Sequence, residues 1–194
     1  MNKNLFINCP FDEHYKPQFD AILFSVYYCG CKPRCAKEID NGGQIRLDKI
    51  LSIIEQSDLG LHDISRTELN DNNLPRFNMP FELGLFLGAR KFGGKRQKEK
   101  SCIIFDSHEY RYLEFISDIS GQDIKSHNND PEEIITKIRN WLNTFEELRP
   151  IPGAEAIIRQ YKQYILQRLN LTVQDAQYSD NTQIIEQWIM LNRI

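Results

Sequence analysis

The sequence predicts an α/β fold: a doubly wound, mostly parallel sheet with a helical appendage at its C-terminal end. Three observations predict it. Short apolar runs that stop at a proline or an acid ("LFINCP" at 4–9, "LGLHDIS" at 59–65, "SCIIFD" at 101–106) read as buried strands. Stretches with apolar residues at helical spacing alternate with them, which argues for βαβ units and a parallel sheet. After "RPIPG" at 149–153 no further strand pattern occurs, and two helical stretches follow.

In chain order, the first strand ends at Pro10. "PQFDAILFSVYYCG" then places Phe19, Ile22, Leu23, Val26 and Tyr27 at helical spacing, with Gly30 as its stop. "KPRCAKE" is a weak second strand, and "NGGQIRLDKILSIIEQSD" sets Ile45, Leu47, Ile50, Leu51, Ile53 and Ile54 largely on one helical face. The third strand, 59–65, carries Asp63 and Ser65 at its end, and the polar loop "RTELNDNNLPRF" leads to a helix in "RFNMPFELGLFLGAR", 76–90. The basic run "RKFGGKRQKEK" at 90–100 reads as a solvated loop before the fourth strand, which ends in Asp106. "HEYRYLEFISDI" is expected to be helical and "QDIKSH" a fifth strand. "DPEEIITKIRNWLNTFEEL" is an amphipathic helix with Asp130 as N-cap, Pro131 at its first position and acids in its first turn. About five strands and five helices thus fill residues 1–148 as one α/β domain. Residues 149–194 form the helical extension, with helices at 154–171 and 181–193; Trp188 and Met190 on the last are candidates for core packing or self-association.

Composition narrows the function classes. The 194 residues carry 24 Lys+Arg against 27 Asp+Glu, a net charge of −3, which argues against general affinity for a nucleic-acid backbone. No apolar stretch approaches the ~20 residues that span a bilayer, and "MNKNLFINCPF" lacks a signal-peptide pattern, so a cytoplasmic protein is expected. Five cysteines (Cys9, Cys29, Cys31, Cys35, Cys102), mostly within apolar segments, suit buried thiols. The C-x-C-x3-C spacing in "CGCKPRC" has no second ligand pair and no nearby histidine, so no metal site is expected.

In an open parallel sheet, ligands bind outside the carboxyl ends of the strands, where strand order reverses. The residues just past the strands are therefore the candidates: Cys9, Pro10, Phe11, Asp12 and Glu13 after the first, Asp63, Ile64, Ser65 and Arg66 after the third, Asp106 and Ser107 after the fourth. The helix in 76–90 begins at the same rim. Asn78 is placed to cap it, Pro80 fits its first turn, and Gly84 and Gly88 share a face that allows close packing. Phe81, Leu83, Leu85, Phe86 and Leu87 mark it as buried. Glu82, placed in its first turn, has two readings on the residues alone: support of the helix dipole, or a catalytic carboxylate tuned by apolar surroundings. Of the histidines, His62 reads as a core residue inside a strand; His14, His108 and His127 are scattered.

"FNMPFELGLFLGA" resembles the N-x-x-F-E-L-G-x-F-x-G segment of bacterial TIR-like domains, anti-phage effectors that destroy NAD. It is also similar, more loosely, to the E-L-G helix of nucleoside 2-deoxyribosyltransferases. The resemblance covers the α/β order of residues 4–147 and is specific residue by residue over 78–88. It implies a flavodoxin-like fold and cleavage of an N-glycosidic bond, with Glu82 in the catalytic position. "FINCPFDE" takes the place of the loop lining the nucleotide cleft, although its Cys-Pro-Phe-Asp wording departs from the usual segment. "DIS" at 63–65 fits the position where an acid or hydroxyl faces ribose.

The resulting expectation is hydrolysis of NAD or a related nucleotide as substrate, with no further cofactor, in bacterial anti-phage defence or signalling. Because the ring nitrogen of NAD is already cationic, a carboxylate beside C1′ suffices and no acid for the leaving group is required. Asp12 or Asp63 would meet ribose hydroxyls, and Arg46 or Arg66 a phosphate. The resemblance further implies a homo-oligomer and an upstream sensor or activator. Nucleoside deoxyribosyl transfer or hydrolysis, and a non-catalytic nucleotide-sensing or scaffold module, remain the alternatives.

Overall fold

The computed structural model describes residues 3–36, 45–69, 72–174, 185 and 189. Trp188 and Met190 lie outside these residues, as does most of the stretch 181–193. Five strands, β1 (Asn4–Asn8), β2 (Lys32–Arg34), β3 (Leu59–Asp63), β4 (Ser101–Asp106) and β5 (Ile124–Ser126), form one sheet in the order β2-β1-β3-β4-β5. All pairings are parallel. This is the doubly wound, flavodoxin-like order, in which the chain's direction across the sheet reverses between β1 and β3. Asn8 pairs with His62, so the carboxyl ends of these two strands lie level.

The chain forms two compact units: Met1–Asp12 with Lys32–Asn129, and Glu13–Cys31 with Asp130–Ile194. The first holds the sheet with α2 (Arg46–Gln56), α3 (Asn78–Phe92) and the short α4 (Lys95–Lys98). Its core joins Phe6 of β1 and Phe86 of α3 to Ile50, Ile53 and Ile54 of α2; Ile64, Met79, Leu83, Ile104 and Tyr112 form a second cluster. Every residue of β3 is buried, the near-continuous burial expected of a central parallel strand.

The second unit packs α1 (Lys16–Tyr28), α5 (Pro131–Leu142) and α6 (Ala154–Gln174). Gly30 ends α1 in the left-handed conformation, φ +85°, and the Cys31 N–H donates to Val26 O across it. Asp130 caps α5, accepting from the Glu132 N–H at 2.8 Å. In α6, Tyr161 and Tyr164 contact Phe24, and Arg168 pairs with the buried Asp20 at 2.7 Å. These contacts pack the described face of α6 within the second unit.

Several elements depart from expectation. The segment 108–119 is not an α-helix: it makes two 3-10 turns, Arg111–Glu114 and Ser117–Ile119. Tyr110 enters the first at φ 60°, which halts a right-handed helix there, and the Arg111 side chain turns back to Asp106. The strand at 32–38 is shorter than expected, ending at Arg34. Ile45, Leu47 and Leu51 point away from the buried face of α2 and are exposed. The 90–100 run is not a simple loop. It ends α3, forms α4, and buries Lys100, whose ammonium donates to the carbonyls of Ile54 and Ser57 at the end of α2.

α3 differs most. Its N-cap is Phe77, with no side-chain cap, so Asn78 does not cap it. Glu82 falls in the second turn. Gly84 and Gly88 press against nothing: a Cβ on either would meet no atom within 4 Å. Phe77, Phe81 and Phe92 are exposed, so the helix is not buried all round. The close approach occurs instead at Gly60 of β3, where a Cβ would lie 2.7 Å from Phe86 Cζ and 2.7 Å from His62 Nε2. Gly60→Ala is therefore expected to destabilise the protein by about 1–3 kcal/mol through overpacking. Gly84→Ala and Gly88→Ala should each stabilise it by up to ~1 kcal/mol through helix propensity. Urea denaturation of the three variants checks both signs.

Candidate active site at the switch point

The reversal of strand order sets the carboxyl ends of β1 and β3 beside the start of α3, and polar side chains tie the three together. Asn8, the last residue of β1, is 2% exposed. Its Nδ2 donates to Met79 O at 2.8 Å and lies 3.1 Å from His62 Nδ1. His62 is wholly buried against the rings of Phe6 and Phe86, and burial lowers its pKa to about 3. In the neutral ring, the Asn8 amide directed at Nδ1 assigns the lone pair to that atom and the proton to Nε2.

Glu82 sits one turn beyond Met79 and is 7% exposed. Among the described residues its carboxylate has no hydrogen-bond partner. Burial raises its pKa from 4.5 to about 6, opposed by the positive charge of Arg46 at the start of α2. A shift of that size corresponds to about 2 kcal/mol against the charged form. An acid in the second turn, buried and unbonded, gains little from the helix dipole, which acts on exposed ends within the first turn.

Other expected site residues gather here in different roles. Asp12 is half-buried and is faced by two guanidinium groups, Arg66 Nη1 at 3.4 Å and Arg76 Nη1 at 3.3 Å. Arg66 also donates to Glu68 at 3.1 Å. This ties the loop after β1 to the segment between β3 and α3. Phe11 is half-buried and Asn78 exposed, whereas Cys9 and Pro10 are buried beneath the rim. All five cysteines stand outside any disulfide.

Asp63 and Ser65 belong to a separate, interior network. Asp63 is wholly buried; its Oδ1 accepts from the Ser65 N–H at 2.8 Å, and its Oδ2 lies 3.1 Å from Nε2 of the equally buried His127. His127 Nδ1 accepts from the Asn129 N–H, which assigns the ring proton to Nε2, the atom facing Asp63. Asp106, at the end of β4, is bound by Arg111, which also donates to Thr67 Oγ1, Ile64 O and Ser65 O. Burial raises the Asp106 pKa and Arg111 works against it. Arg111 is thus a clip between the loops after β3 and β4, where an extended arginine fork satisfies backbone carbonyls and a carboxylate together.

Asn8, Arg76, Arg111 and His127 were not singled out in the sequence. Asn8 alone carried a signal, as a polar residue inside an apolar strand run just before Cys9-Pro10. Arg111 and His127 act through contacts that no local pattern announces.

The fold and this arrangement define a doubly wound α/β protein with a buried acid, Glu82, beside its switch point and arginines at the rim. Compared with protein-family models, curated proteins and solved structures, the chain matches none. Among the described residues, no three His, Cys, Asp or Glu side chains group to hold a metal ion, and no helix is long and apolar enough to cross a membrane.

The Glu82 shift makes a stability prediction. Its folded pKa lies above its unfolded value, so the folded state binds the extra proton between pH 4.5 and 6 and stability falls as pH rises through that window. Glu82→Gln should match the wild type below pH 4.5 and exceed it by about 2 kcal/mol above pH 6.5. Denaturant midpoints across pH 4–8 measure this; a constant difference would show that the carboxylate does not titrate there.

Proposed function

We propose that this chain is a TIR-like N-glycosidase that cleaves the bond between ribose C1′ and nicotinamide in NAD or a related nucleotide, with Glu82 as the catalytic carboxylate. The observation that carries the reading is Glu82 itself: a buried acid, unbonded among the described residues, at the switch point where parallel-sheet proteins bind ligands. A carboxylate that lowers stability without a structural partner is the kind of group that functional sites retain. The E-L-G segment supports the same reading independently.

The chemistry follows from the charge that develops. As the C1′–N bond breaks, the electron pair leaves with nicotinamide, which becomes neutral, and the ribose becomes oxocarbenium-like. The ionised Glu82 stabilises that cation in a site where poor solvation strengthens the attraction. Water then adds at C1′ and loses a proton to solvent. Arg66 and Arg76, each sharing Asp12, and the exposed Arg46 provide cationic groups for the substrate's phosphates. Assembly of several copies and an upstream activator belong to this reading, so the assay spans dilute to concentrated protein.

Base release from NAD is expected for the wild type and should fall at least about a hundredfold in Glu82→Gln, the scale of losing one preorganised charge-stabilising group. The rate should rise with pH to a plateau, half-maximal near pH 6, because the ionised form is active. Base release that survives the substitution would remove Glu82 from the mechanism. A rate that instead falls above pH 6, with deoxynucleosides as the better substrates, would identify a protonated group assisting departure of a neutral base and favour deoxyribosyl transfer. Binding of NAD without turnover at any concentration would favour the sensing module.

A further inference from the structure

We propose that Asn8 is a positioning residue that holds the first turn of α3, and with it Glu82 one turn on, against the sheet. The inference rests on the role of Glu82 proposed above and adds the group that places it. Asn8 joins all three elements at the switch point through the polar contacts of one amide. It ends β1, its amide donates to Met79 O in the first turn of α3, and the same nitrogen faces His62 Nδ1 on β3. An amide nitrogen has two protons, and both are directed at fixed acceptors.

The geometry brackets Glu82. Met79 lies three residues before it and Phe86 four residues after, one turn on either side. Phe86 is held where Gly60 lets its ring meet β3, and Met79 is held by Asn8. Phe77, at the N-cap, supplies no side-chain bond, and Asn8 ties the first turn to β1 through the Met79 carbonyl. Asparagine suits the task because it carries no charge and donates twice. Aspartate would set a lone pair against the Met79 carbonyl, and leucine would leave the wholly buried His62 Nδ1 unpaired. The acceptor on His62 is equally durable, since burial keeps that ring neutral through the range in which Glu82 titrates. The charged group acting on Glu82 from α2 is Arg46, and from β3 the facing titratable ring is His62.

The test follows the Glu82 carboxyl directly. Protein labelled with 13C at the glutamate carboxyl is titrated by NMR, with the Glu82 signal assigned by its loss in Glu82→Gln. The wild-type midpoint is expected near 6. In Asn8→Ala, with folding verified by circular dichroism, the midpoint should move down toward 4.5 as the turn loosens and water reaches the acid. His62→Phe keeps the ring packing, removes one acceptor and leaves the Met79 bond, so it should give a smaller shift of the same sign. In base release from NAD, Asn8→Ala should lower kcat by about ten- to a hundredfold while KM changes less than about twofold, because a misplaced catalytic group costs rate more than binding. An unchanged Glu82 midpoint in folded Asn8→Ala, or in His62→Phe where Asn8→Ala does not fold, overturns the inference. A shifted midpoint in a protein that releases no base would leave the positioning link standing and overturn the proposed activity instead.

Discussion

The docking of α3 onto β1 and β3 is the constraint on which the rest of the first unit depends. Its centre is the contact of Phe86 with Gly60, where even a methyl group would overlap the ring. A phenylalanine seated on a bare strand backbone excludes water from both, and it lets the His62 ring stand edge-on at 4.8 Å between centroids. The ridge of Met79, Leu83 and Phe86 then divides the core into the two clusters on which α2 and the 3-10 segment after β4 pack. Phe6 and Phe86 share a cluster with Ile50, Ile53 and Ile54, so shifting α3 would move the support of α2 as well.

Around that packed centre, arginines do what helices do elsewhere in such sheets. Between β4 and β5 the chain makes 3-10 turns, and Arg111 in the first of them reaches back to Asp106 and to the loop after β3. One guanidinium answers Asp106, Thr67, Ile64 and Ser65 together while lying over Phe115 at 4.9 Å. A buried carboxylate with such a partner is affordable because the charge is hydrogen-bonded as well as neutralised. Asp12 is the opposite case: a half-buried acid between two partly exposed arginines at 3.3–3.4 Å, distances at which solvent competes for each pair. The interior clip and the looser rim pair thus divide rigidity from exchangeability along the same edge of the sheet.

Much of the architecture was legible because its signals are local. The apolar runs of β1, β3 and β4, the Asp130-Pro131 start of α5 and the Gly30 stop of α1 each depend on chemistry within a few residues. Glycine shows where that ends. Gly84 and Gly88, four apart on a helix, looked like a packing face and meet open space, whereas Gly60, solitary in a strand, is the one that must be small. The difference lies in what approaches from elsewhere in the chain, 26 residues on in the case of Phe86. The same holds for Arg111, whose partners lie up to 47 positions away. It also holds for Asp63 and Ser65, whose place past a strand suggested ligand contact while the structure buries both in the interior network.

Glu82 reads in the sequence as a first-turn acid, and the structure places it in the second turn of α3. In the first turn and exposed, it would stabilise the helix by ~0.3–1 kcal/mol and need no other explanation. In the second turn and 7% exposed, with its pKa near 6, the sign reverses: ionising it in the folded protein opposes stability by about 2 kcal/mol at neutral pH. Arg46 reduces that opposition without removing it, and it stands at the solvent edge where an anionic ligand could displace its attention from the acid. Such a ligand would weaken the one charge favouring the carboxylate and raise its proton affinity further, whereas a developing cation beside it would do the reverse. The acid is therefore poised to respond to the charge of what binds, in opposite directions for a phosphate at Arg46 and a cationic sugar at Glu82. In the reading proposed above the substrate carries both charges, so the cation forming at the bond to be broken must outweigh the phosphate's effect for Glu82 to act in its ionised form.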